Sequence, residues 1–140
     1  MRSAARVRTW AVAAAALAAG CQGGHHDPPS HLPLGTWGGT EAGLVVTADA
    51  VHVHLHCTKG DIAGRVAIGA DGRFEAEGRH NVDAYPVDRG ITHPARYSGR
   101  MAGDDRTTLE VRLLDTGQVL GPVELFLGRE PQMRNCPICR

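Results

Sequence analysis

Three histidines at alternate positions, His52, His54 and His56, carry the most specific chemistry in the chain. In an extended strand, alternate side chains share a face with Cα atoms about 6.5–7 Å apart, so two imidazoles of an H-x-H pair reach one metal ion at N–metal distances of ~2.0–2.1 Å. His52 and His56 would stand about 13 Å apart on a flat strand. A three-histidine site therefore needs a ligand from a neighbouring strand, or His80 or His93. Zinc and copper are the ions that imidazole donors suit. The competing account makes the three histidines polar outward residues, opposite an inward row of Val51, Val53, Leu55 and Cys57. Cys136-Pro-Ile-Cys139 has the spacing of thiol oxidoreductases, whose chemistry needs a following helix N-terminus to depress the thiol pKa. Only Arg140 comes after it, so redox catalysis is not expected. No G-x-S-x-G, H-E-x-x-H or G-x-x-x-x-G-K is found, so no catalytic residue is assigned.

Period-two patterning must position these groups. From Leu34 to Gly128, apolar and polar residues alternate between turn signals every eight to twelve positions, the signature of an all-β sandwich or barrel. The pattern predicts about eight strands: Leu34–Thr40, Gly43–Thr47, Val51–Thr58, Ile62–Ile68, Arg73–Glu77, Ala95–Ala102, Thr107–Leu114 and Val119–Leu127. Asp71-Gly72 is a hairpin signal because type I′ turns need positive φ. Pro122 marks a bulge or an edge, since it cannot donate to a ladder. Short hairpins let such strands close and remove their edges, so a small up-and-down antiparallel β-barrel over residues 35–128 is expected, with a β-sandwich as the alternative. The long connection Gly78–Pro94 bears His80, Tyr85 and His93, and would form the lid of any ligand-binding mouth.

The N-terminus reads as an address. Arg2, Arg6 and Arg8 precede the apolar run Trp10–Ala19, about half of the ~20 residues of a membrane-spanning helix, so residues 1–20 are expected to be a signal peptide. Leu17-Ala-Ala-Gly-Cys21 resembles the lipobox of bacterial lipoproteins, with Ala18 where leucine is usual. That resemblance implies a lipid, palmitate included, on Cys21, and anchorage to the membrane. Gln22, in place of an aspartate, implies the outer membrane, facing the periplasm. Ordinary secretion after Ala18 is the alternative. Residues 21–34, with His25, His26 and His31, read as a flexible tether.

With Cys21 lipidated, three cysteines remain in an oxidising compartment, so one is left over. A bridge from Cys57 to Cys136 would pin the 129–140 tail, closing a loop of roughly 80 residues worth about 4–5 kcal/mol on the chain-entropy model. Cys57 with Cys139 is the variant.

Charge narrows the partners. Fifteen basic and fifteen acidic side chains balance, and removal of three leader arginines leaves a formal −3. This lacks the basic excess of a nucleic-acid binder, and aromatics at 4% are too few for a base-stacking platform. Gly35-Thr-Trp-Gly-Gly39, Cys57, Asp71-Gly-Arg-Phe74 and His93-Pro-Ala-Arg-Tyr-Ser-Gly99, with a C-terminal cysteine, resemble a group of small exported bacterial lipoproteins of uncharacterised function. The resemblance implies a lipocalin-like or avidin-like barrel and no particular activity. The function expected is a lipid-anchored envelope binding or structural protein, its partner an unknown small molecule or envelope protein. A lipocalin-like carrier is one alternative. A metal-binding protein or metalloenzyme on the histidine row is the other; otherwise no cofactor is expected.

Overall fold

Eight antiparallel strands form, each hydrogen-bonded to the next and the last to the first. They are β1 (Gly35–Gly39), β2 (Ala42–Val46), β3 (Ala50–Leu55), β4 (Thr58–Ala63), β5 (Arg73–Asn81), β6 (His93–Met101), β7 (Arg106–Leu113) and β8 (Val119–Leu127). The computed structural model describes residues 27–136. Closure removes every open edge, so the up-and-down barrel expected from the sequence is the fold, and the sandwich is not.

Alternation builds the core. Val51, Val53 and Leu55 point inward from β3 and Thr107, Leu109, Val111 and Leu113 from β7, all buried. Trp37 and Tyr97, the largest fully buried side chains, pack among them at 0% exposure. Each large apolar side chain contributes about 1.5–3 kcal/mol when buried. Val66 and Phe74 are buried as well. Outside, Arg96 pairs with Glu75 and Glu77, and Arg106 with Glu124. A charged wall around an apolar interior is the reverse of a lipid-spanning barrel. Among the described residues no helix is long and apolar enough to cross a membrane.

Three expectations need correction. The fourth strand is not Ile62–Ile68, and the third stops at Leu55, because the chain turns at His56-Cys57 with His56 at φ 52°. That turn sets the register, pairing Leu55 with Thr58 and Ala50 with Ala63. Gly72, at φ 78°, ends a longer connection over 64–72 and does not join two adjacent strands directly. The tether ends earlier than residue 34. Leu32 is 2% exposed, its amide donates to Val66 O at 2.9 Å, and the Trp37 indole donates to Pro33 O at 3.0 Å. One apolar side chain in a polar stretch suffices to draw residues 30–34 across one end of the barrel. Pro122 sits where expected, at a register shift of β8 opposite Leu109 and Val111.

Candidate functional site

His52 and His54 stand on the outer face of β3, half-buried. Register places Asp61 of β4 opposite His52, and the His52 Nδ1–H donates to Asp61 Oδ1 at 2.6 Å. This fixes the tautomer, leaving the Nε2 lone pair of His52 facing the other imidazole. His52 Nε2 and His54 Nε2 are 2.8 Å apart, with ring centroids at 4.7 Å and planes at 69°. Burial lowers the pKa of His54, and the neighbouring His52 lowers it further. Neutral imidazoles with nitrogens this close share a single proton, or turn two lone pairs on a common acceptor of electrons. His56, the third member of the expected row, lies in the turn and is exposed, so the row is a pair.

The C-terminal segment makes the pair one side of a cleft. After β8 the chain crosses the outside of β1 and β2, held by Gln132 N to Gly39 O and Glu41 N to Gln132 O, both 3.0 Å. Glycine permits the approach, because a Cβ on Gly43 would meet Pro131 Cγ at 2.4 Å. Glu41, itself buried, receives the end of this strap: its Oε1 accepts from Arg134 N at 2.8 Å and from Asn135 N at 3.2 Å. Charge-assisted bonds of this kind are about twice as strong as neutral ones. Between strap and wall lies a cleft of about 400 Å³, lined by Thr36, Val45, His52 and His54 on one side and by Glu130 and Met133 on the other. Among the described residues no group of three or more His, Cys, Asp or Glu could hold a metal ion.

The candidate ligand loop divides. His80 belongs to β5 and is fully buried. Thr58 donates to Leu55 O at 2.6 Å, so its hydroxyl accepts the His80 Nε2–H at 2.7 Å. His80 Nδ1 lies 2.9 Å from Tyr97 Oη, whose hydroxyl donates to Arg79 O at 2.8 Å. Desolvation holds the His80 pKa down at about 4 and pushes that of Tyr97 up. His93 opens β6, and its Nδ1 donates to Asp115 at 2.7 Å, which lowers the Asp115 pKa. The true connection is 82–92, where Tyr85 is exposed. Asp88 bonds Lys59 and Asn81 and holds this loop to the barrel. These three residues therefore do not converge: a cavity of about 360 Å³ lies on the loop itself, lined by Tyr85, Val87 and Ile91 among others, while His80 is packed into the core.

Cys57 occupies the turn, not the inward row, because the strand ends at Leu55. The strap reaches it: Cys57 Sγ lies 3.6 Å from Asn135 O, and Cys136 is buried. Cys57 and Cys136 are not joined to each other. Cys21 and Cys139 lie outside the described residues, as do His25, His26 and the signal segment. Sequence reasoning missed Asp61, which holds His52, and the cleft residues Glu130 and Met133.

Fold and cleft together define a closed, internally packed eight-stranded barrel with a strapped outer wall. Among known proteins, no family model, no curated protein and no solved structure matches the chain.

Proposed function

We propose that the protein is a lipid-anchored component of the cell envelope that binds its ligand on the outer wall of the barrel, in the cleft beneath the C-terminal strap. The observation that carries this reading is the filled interior: Trp37, Val53, Tyr97 and Val111 are each 0% exposed, which leaves a lipocalin-like carrier without a lumen. The wall cleft, by contrast, brings two imidazoles, a carboxylate and a thioether to one concave surface, the usual form of a binding site: apolar lining with a few polar groups. Lipid on Cys21 holds the molecule through acyl chains worth ~0.8 kcal/mol per buried CH₂. Residues 30–34 run across one barrel end, beside the 64–72 connection, so the anchor would pull on that end and leave the wall open to partners.

Membrane fractionation with intact-mass analysis tests the anchor. The wild-type protein should sediment with membranes and carry the mass of diacylglycerol, while Cys21→Ser should stay in the inner membrane with its leader uncleaved. A wild-type product that is soluble and free of lipid would overturn the reading.

A further inference from the structure

We infer that His52 and His54 form a mononuclear binding site for a divalent transition-metal ion of tetragonal preference, the class of copper(II), in the wall cleft. The inference rests on the reading of that cleft as the ligand site and names the ligand's chemistry.

Three observations lead there. Two imidazole nitrogens 2.8 Å apart, each at ~2.0–2.1 Å from a shared ion, subtend an angle of about 86°. A tetrahedral zinc site would need them roughly 3.3 Å apart. Near-right angles belong to the square-planar and tetragonal sites of copper(II) and nickel(II), and copper(II) binds tightest of the divalent first-row ions. Second, the rings are inclined at 69° with centroids only 4.7 Å apart, closer than a head-on N–H···N contact would place them. Their axes thus converge toward a point beside the strand. Third, Asp61 accepts from His52 Nδ1 at 2.6 Å, the outer-shell carboxylate that orients a ligating imidazole and raises its basicity. Glu130 and Met133 line the same cleft from the strap, so a carboxylate and a soft sulfur face the same concave surface. Water or a ligand from solution completes the coordination.

The test uses the full exported protein in mild detergent, stripped of metal and titrated with copper(II), read by electron paramagnetic resonance and isothermal calorimetry. One equivalent should bind with an axial spectrum split by two imidazole nitrogens. His52→Ala and His54→Ala should each abolish that two-nitrogen signature without shifting the melting temperature, since both side chains lie on the wall. Asp61→Asn should weaken binding by ~10–100-fold. His25→Ala/His26→Ala should leave the signature intact. The inference is overturned by a signature that survives His52→Ala, by one lost with His25→Ala/His26→Ala, by equimolar zinc displacing the copper, or by no binding at all. Membrane fractionation of the same preparation separates the two readings: protein that is anchored yet binds no copper contradicts the metal alone, and soluble, lipid-free protein contradicts the anchor alone.

Discussion

Replacing Gly60 with alanine is expected to lower the melting temperature by about 10–20 °C, the consequence of roughly 3 kcal/mol of overpacking in a domain of this size. Gly60 is a buried residue of β4 whose missing side chain makes room for the polar centre of the barrel. A Cβ there would come within 2.0 Å of Tyr97 Oη, 2.4 Å of His80 Nδ1 and 2.6 Å of Arg79 O. The side chains cannot retreat, because His80 is tied to Thr58 and Tyr97 to Arg79 O at 2.8 Å. The carbonyl belongs to the paired backbone of β5. Relief must break the His80–Tyr97 contact or part β4 from β5, which meet in only three register pairs. Thermal unfolding followed by circular dichroism checks the expectation, and a Gly60→Ala protein melting within 3 °C of wild type would mean that the β4–β5 contact is looser than described.

Acid should destabilise the barrel through the same centre. His80 has a folded pKa of about 4 against 6.5 for the free side chain. Between those values the unfolded chain binds a proton that the folded chain refuses, so stability is fully present above about pH 6.5 and falls as pH drops toward 4. The loss is on the order of 3 kcal/mol and levels off below pH 4. His54, lowered in the same direction, adds to the slope. Urea unfolding at several pH values measures it. His80→Gln keeps a polar side chain between Thr58 and Tyr97 but does not titrate, so its unfolding free energy should fall less steeply across this window. An unchanged slope in the variant would show that the acid sensitivity lies elsewhere.

Much of the barrel was legible because its signals are local. The period-two rows of β3 and β7 assign their own inward faces, and Pro122 announces its bulge. What was hidden depended on one turn. Running the third strand on to Thr58 displaced β4 toward Ile62 and placed His56 in line with His52 and His54. With the turn at His56-Cys57, the register puts Asp61 opposite His52, and the second half of the site becomes readable from sequence alone. Glu130 and Met133 were beyond such reasoning: the strap's path over β1 and β2 depends on the glycines that admit it and on Glu41, 93 residues before the Arg134 amide it accepts. Leu32 was hidden for a similar reason, since its contact with Val66 closes over a connection and not within a ladder.

The most direct measurement is equilibrium titration of the purified protein with an apolar fluorophore of fatty-acid size, followed by energy transfer from Trp37, the one tryptophan among the described residues. A barrel packed around Trp37 and Tyr97 should show no saturable transfer, and acrylamide should scarcely quench the indole. Stoichiometric binding with strong transfer would reveal a lumen open to ligands and contradict the assignment of the working surface to the outer wall.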